Sequence, residues 1–445
     1  MARDLPIGRR AALGLALPLA LGGCGLFNGS WFETEKKPIP GKREPVLRNV
    51  DVLAPQKGLG PITLPAPVRN AAWMQAGGNP AHDMGHLFSP PVLSVAWTTS
   101  IGEGGGYRNK ILAQPIVGNG VVYTMDVAAR VSAFSLSNGQ ELWRVPTRGE
   151  KARSTNVGGG LGLAEGALFA ANGLGSLVAL DPASGKERWR VDLKAPLRSE
   201  PTIVAGRLFI TTSDDTLYAL NEADGRQLWS YQARSTVANM LGRPAPAFSD
   251  GIVVAGFGSG ELSAFRADTG TVIWTDVLAS SGGGRFADIA SIRGRPAIRN
   301  NEVFAAGMGG LIVANDLHAG RRIWQIAVAS QDSPWVAGDW LFITTLDQQL
   351  AALHLADGQV AWSAQMPEFS NPKKQTGPLT WFGPLLTGDR LILAGTSKEA
   401  LSVSPYTGAI LGRQPLPSAA APVQPVVAEG TVLLVAEDGR LMALR

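Results

Sequence analysis

Ala179-Leu180-Asp181-Pro182-Ala183-Ser184-Gly185-Lys186-Glu187-Arg188-Trp189 is the fullest copy of a phrase that returns along the chain: a small residue, Gly six positions later, Trp four after that. The same offsets join Ala133, Gly139 and Trp143; Ala219, Gly225 and Trp229; and Ala264, Gly270 and Trp274. They recur in Ala314, Gly320 and Trp324, and in Ala352, Gly358 and Trp362. A degraded copy, Ser402 to Gly408, has Gly412 where Trp is due. Successive Trp residues stand 38 to 50 positions apart. A fixed phrase with variable spacers at this period marks a propeller or solenoid array.

Within a copy, apolar runs alternate with turn signals. In the third, 201–204 leads through Ala205-Gly206 to 207–210, Asp214-Asp215 turns the chain into 216–220, and Asp224-Gly225 turns it into 226–229. Asp-Gly and similar pairs between short apolar runs are hairpin signals. Gly120, Gly166, Gly206, Gly251, Gly338, Gly388 and Gly430 recur at one turn, where positive φ is expected. Four antiparallel strands per copy make a propeller blade with the Trp on its outermost strand. Its ring is then expected to pack on a turn of the neighbouring blade, a structural role rather than a ligand platform.

The last copy starts at Pro425 and reaches Ala443-Leu444 without the Gly and Trp of its phrase, while Trp97 in 92–97 stands one repeat, 46 positions, before Trp143. The N-terminal strand is therefore expected to complete the C-terminal blade. The fold class that follows is all-β: an eight-bladed propeller over 71–445, closed by that pairing, with Trp97 joining Trp143, Trp189, Trp229, Trp274, Trp324 and Trp362 as blade Trp residues. Closure removes exposed sheet edges.

With 445 residues the chain exceeds a single compact core, which the modular ring accommodates. Net charge is +4, of which Arg3, Asp4, Arg9 and Arg10 carry +2, a balance that argues against a nucleic-acid partner. Residues 1–23 read as an export signal, with Arg9-Arg10 ahead of the apolar run 11–21, too short to span a bilayer. Arg9-Arg10 fits simple n-region charge better than a twin-arginine signal. Leu21-Gly22-Gly23-Cys24 resembles the bacterial lipobox, so the single Cys24 is the expected acylation site, and acyl chains give firm anchoring. Gly25, with no Asp there, implies by the same resemblance the outer membrane. Residues 24–70 carry seven prolines from Pro38 to Pro67 and read as an extended tether.

Candidate chemistry is sparse. His82, His86, His318 and His354 are scattered with no Cys partner, which disfavours zinc. The Gly triplets at 104–106, 158–160 and 282–284 lack the Lys-Ser/Thr of a phosphate loop and read as flexible connections between blades. No nucleophile elbow occurs, and Asp214-Asp215 sits at a hairpin turn. No catalytic, metal or cofactor residues are assigned.

The blade phrase resembles the quinoprotein (PQQ-type) propeller repeat from about residue 73 onward, and Trp73-x-x-x-Gly77-Gly78-Asn79-x-x-His82 recurs in such chains. One branch is PQQ-dependent dehydrogenases, usually calcium-binding and typically with a vicinal Cys pair, which this chain lacks. Lipobox, tether and short blades make the chain more similar to the BamB family of lipoproteins. That resemblance implies a non-enzymatic scaffold without cofactor, a monomer within the barrel-assembly complex, on the periplasmic face of the outer membrane. It also implies binding to the POTRA domains of BamA, with unfolded outer-membrane proteins as possible clients. Family members carry Leu-x-Leu-Arg in the loop after an early blade, and Leu197 and Arg198 match its end, Ala195 departing from the first Leu. A second family loop has Asp-x-Asp, of which Asp288 keeps the first position. An exposed Leu beside Arg is the expected hot-spot pair. The alternative is a PQQ-dependent dehydrogenase or other ligand-binding propeller.

Overall fold

In register across blade 3, Phe209 faces Ala219 and Ala219 faces Trp229. Ala219 is small enough for the flanking rings to meet over it, 5.9 Å between centroids. The same triplet is Tyr123, Ala133, Trp143 in blade 1 and Phe169, Ala179, Trp189 in blade 2. It is Phe304, Ala314, Trp324 in blade 5 and Phe342, Ala352, Trp362 in blade 6. In these five blades the small residue of the repeat lets two rings pack across three strands, while blades 4 and 8 keep the Ala and the Trp with Val254 and Leu433 in place of the inner ring.

The computed structural model describes residues 51–445 apart from 107–108, 150–157, 165, 235–241 and 280–289. Cys24 and Asp288 lie outside the described residues. Eight four-stranded antiparallel sheets form the blades of an eight-bladed propeller: blade 1 at 116–146, blade 2 at 159–192, blade 3 at 202–232 and blade 4 at 247–277. Blades 5, 6 and 7 follow at 297–326, 335–365 and 381–415. Blade 8 joins 426–444 to the outer strand Val95–Ser100. There Trp97 pairs with Ala443, the small residue of the last phrase, and Ser94 and Arg445 exchange backbone hydrogen bonds of 2.7 and 2.9 Å. The expected closure is what the fold uses.

Between blades the Trp meets the repeat Gly. A Cβ on Gly225 would lie 2.7 Å from the Trp189 ring, and one on Gly270 2.6 Å from Trp229. Both glycines also have positive φ, +72° and +73°, so two independent constraints exclude a side chain. The indole N–H donates across the seam: Trp97 to Leu136 O at 3.0 Å, Trp143 to Pro182 O at 3.1 Å and Trp274 to Leu317 O at 2.7 Å.

The packed body begins at Asp51 rather than residue 71. Residues 51–70, expected as part of the extended tether 24–70, lie along the ring. Leu53 is buried beside Val360, Gln56 N donates to Val360 O at 2.9 Å, and Asn70 Nδ2 donates to Val427 O at 2.7 Å. Prolines keep this stretch extended, and Leu53 and Ile62 bury against the ring while Val52 and Val68 stay exposed.

Residues 70–88 then plug the ring. Trp73 exchanges backbone hydrogen bonds with Val117 of blade 1, and Met74 O accepts from Leu163 N of blade 2. Gln75 Oε1 accepts from Ile203 N of blade 3; Pro80 O and Ala81 O accept from Phe248 N and Ile298 N of blades 4 and 5. Gly85 O accepts from Trp335 Nε1 of blade 6, and Gly388 N of blade 7 donates to Leu87 O. One short loop thus satisfies inner strands around the circuit. His82 and His86 belong to this plug, their Nδ1 atoms bonded to Pro296 O at 2.7 Å and Pro65 O at 2.8 Å.

Candidate functional site

Antiparallel order sends every connection from an outer strand to the next inner strand out on one face. Most inner strands open at a Pro: Pro115, Pro201, Pro246, Pro296, Pro334 and Pro425. The residue before Pro is held extended. Extended chain puts alternate residues on one side, so positions one and three before a proline can share a face, as Arg198 with Glu200 and Arg293 with Arg295 do in one cavity lining. In blades 3, 4 and 5 the position three before is Arg198, Arg243 and Arg293, and Arg295 occupies the position one before in blade 5.

These four arginines line an axial cavity of about 70 Å³ with Glu200, Gln331, Asp332 and Gln424. Gln114 separates the cavity from the plug, its Oε1 accepting from Trp73 Nε1 at 3.2 Å and from Gly77 N at 3.0 Å. The axis is therefore a cup: mouth on the connection face, floor made by 70–88.

Its electrostatics are uneven. Arg243 and Asp215, both buried, form a closed pair at 2.6 Å, and Gly258 N also donates to that carboxylate at 2.9 Å. Asp215 occupies the hairpin turn the sequence indicated; its burial and its partner were not foreseen. Arg293 donates to Gln331 Oε1 at 2.9 Å and Arg295 to Gln424 Oε1 at 2.5 Å, neutral acceptors in both cases. The nearest carboxylate contact, Arg295 to Glu200, is 3.9 Å. Burial pushes the Asp332 carboxyl up to about 7 although Arg293 and Arg295 both pull it down, and burial also raises Glu200. Burial, followed by the charge of Arg295, holds His82 near 3, so its imidazole is neutral.

Leu197 requires a correction. It was expected as an exposed anchor and is instead wholly buried, packed with Phe169, Leu177, Leu208 and Ile210. The cause is local: residues 196–199 pair with the turn after the second strand of blade 3, Arg198 N reaching Thr211 O at 3.1 Å and Ser213 N reaching Pro196 O at 2.8 Å. That pairing turns Leu197 into the core and Arg198 toward the axis, where Arg198 is half-buried. Burial, then the charge of Arg243, lowers its pKa. The two residues are adjacent in sequence and act on opposite sides of the loop.

Gly159 and Gly160 also differ from expectation: they open the inner strand of blade 2 rather than a flexible link. A Cβ on Gly160 would lie 2.1 Å from the Glu200 side chain, so the glycine makes room for that carboxylate. Sequence reading missed the arginine cluster, although Arg three positions before Pro in three successive blades would have pointed to it.

A family model described as outer membrane protein assembly factor BamB matches residues 95–364. The outer membrane protein assembly factor BamB of Shewanella oneidensis is 25% identical over 356 residues, covering 78% of this chain and 87% of that protein. The crystal structure of BamB from Moraxella catarrhalis superposes with a TM-score of 0.64 at 18% identity, covering 80% of this chain and 98% of that one. The quinohemoprotein alcohol dehydrogenase of Comamonas testosteroni gives 0.66 at 14% identity, with 85% and 81% covered, a likeness of fold.

Proposed function

The chain belongs to the family of outer membrane protein assembly factor BamB, and on that premise we propose that it is a non-enzymatic scaffold lipoprotein of the barrel-assembly complex. It is anchored through Cys24 to the periplasmic face of the outer membrane. Its connection face binds the periplasmic POTRA domains of BamA and assists insertion of outer-membrane proteins.

The observation that carries the reading is the family match over residues 95–364, joined to one face of the ring on which the connections between blades emerge. Arg198 is the contact residue on that face, and Leu197 fixes its loop from beneath. Asp288, which follows blade 4 in the sequence, is a second contact. Arginine is favoured at such positions because its planar fork pairs with carboxylates and stacks on aromatic rings.

Arg198→Glu in the native lipoprotein should abolish co-purification with BamA from solubilised envelopes while leaving the thermal midpoint within about 2 °C. Undiminished co-purification would remove Arg198 from the interface. The dehydrogenase reading is tested separately by titrating PQQ with calcium and following dye reduction; saturable turnover would replace the scaffold assignment.

A further inference from the structure

Two guanidinium groups in the axial cup, Arg293 and Arg295, face the carboxylates of Glu200 and Asp332 without closing a hydrogen-bonded ion pair to either. Arg295 has its Nε shielded from water with no acceptor, and Asp332 has its Oδ2 shielded with no donor. Both side chains line the same cavity, and neither orphan atom bonds the other. Arg293 donates to Gln331 Oε1 and, at 3.4 Å, to Pro422 O, and Arg295 donates to Gln424 Oε1, all neutral acceptors. Glu200 is held back at 3.9 Å. A guanidinium drawn largely out of water is costly to keep charged unless an anion pairs with it closely. Water in the cup can satisfy its N–H groups but supplies no charge.

We propose that the axial cup is a binding site for one small oxyanion of the sulfate, phosphate or carboxylate type, held by Arg293 and Arg295 with Arg198 at the mouth. This goes beyond the scaffold assignment and does not depend on it. Such an anion accepts two parallel N–H bonds from a guanidinium fork, the geometry Arg provides and a point charge does not. The orphaned Nε of Arg295 is one of the donors it would take up. Volume sets the class: at roughly 10–15 Å³ of such space per water, about 70 Å³ admits a few waters or one tetrahedral or planar oxyanion, not a polycyclic cofactor. The plug closes the far end, so the ligand enters and leaves through the connection face.

The cup also sets the pH response. The charged and titratable groups facing Asp332 are Arg293 and Arg295 from its neighbouring connection, Glu200, Arg198 and the Arg243–Asp215 pair across the axis, and the neutral His82 below. With its carboxyl near 7, Asp332 is protonated on the acid side, where it repels no anion and can donate a hydrogen bond to one. On the alkaline side it competes for the same arginines.

The test is calorimetric titration of the full-length chain in detergent with sulfate and, separately, with acetate, each against sodium chloride at equal ionic strength. Neither probe changes charge between pH 6 and 8. One-to-one saturable binding by either probe, weaker at pH 8 than at pH 6, is expected. Arg293→Gln should weaken it about tenfold or more. Asp332→Asn should retain binding and lose the pH dependence, which keeps the test decisive if Arg293→Gln does not fold. Heats no different from sodium chloride, or undiminished binding in a folded Arg293→Gln protein, would overturn the proposal. BamA co-purification measured on the same variants separates failure of this site from failure of the scaffold reading.

Discussion

At the scale of single residues, the repeat Gly is under two constraints that a pair of substitutions separates. Gly225 and Gly206 share nearly the same φ, +72° and +74°. A Cβ at Gly206 meets nothing within 4 Å, whereas at Gly225 it meets the Trp189 ring at 2.7 Å. Gly206→Ala should therefore cost only the left-handed strain, about 1 kcal/mol. Gly225→Ala adds overpacking of about 1–3 kcal/mol and should be the worse by that margin. Urea unfolding of both variants measures the difference; equal losses would mean that Trp189 yields freely and that the seam is not close-packed. The Gly–Trp pair was legible in the sequence because both partners repeat at constant offset. Leu197 was not, since adjacency to Arg198 says nothing about which of two neighbours on an extended loop faces the core.

At the scale of elements, one blade departs from its siblings. In blade 7 the register triplet is Ile392, Ser402, Gly412, with no aromatic at either end. Blade 8 takes its outer strand from 95–100, so it has no turn from third to outer strand to receive a Trp. The missing ring and the missing turn face each other across one seam. A cleft of about 440 Å³ stands there, lined by Val92, Leu93, Ile392, Leu411 and Gly412. Leu411 and Val92 are 60% and 77% exposed, while a Cβ on Gly412 would meet nothing within 4 Å. Gly412→Trp should fill this space and cover apolar surface, stabilising the protein by about 1–2 kcal/mol. A thermal midpoint unchanged or lowered in that variant would show that the cleft cannot seat an indole. Blade count and closure could be read from Trp97 and Ala443 because each completes the other's phrase. The plug at 70–88 could not, because its hydrogen bonds reach inner strands far apart in the chain and leave no periodicity.

At the scale of the whole ring, stability follows from seams in series, and the weakest decides where the circle opens. Six described indole N–H groups, from Trp97, Trp143, Trp229, Trp274, Trp324 and Trp362, bond a carbonyl of the next blade. Blade 8 is well fastened toward blade 1: besides Trp97, the Arg445 guanidinium, held within its own blade by Thr431 Oγ1 at 2.8 Å, donates to Leu136 O at 2.6 Å and Ser137 O at 3.1 Å. Toward blade 7, among the described residues, the outer part of the seam is hydrogen-bonded by Arg390 reaching Pro90 O and Pro91 O at 3.0 and 2.6 Å. Local opening draws on regions with the fewest buried apolar contacts. Amide exchange should consequently be faster in the outer strand of blade 7, Ile410–Pro415, than in the outer strands of blades 3 to 6, and Gly412→Trp should slow it toward theirs. The comparison holds because all are edge strands of similar length, so intrinsic exposure cancels and the seam remains. Equal protection in wild type would mean that the plug, which bonds the inner strands, holds the circle so tightly that the outer seams do not set its opening.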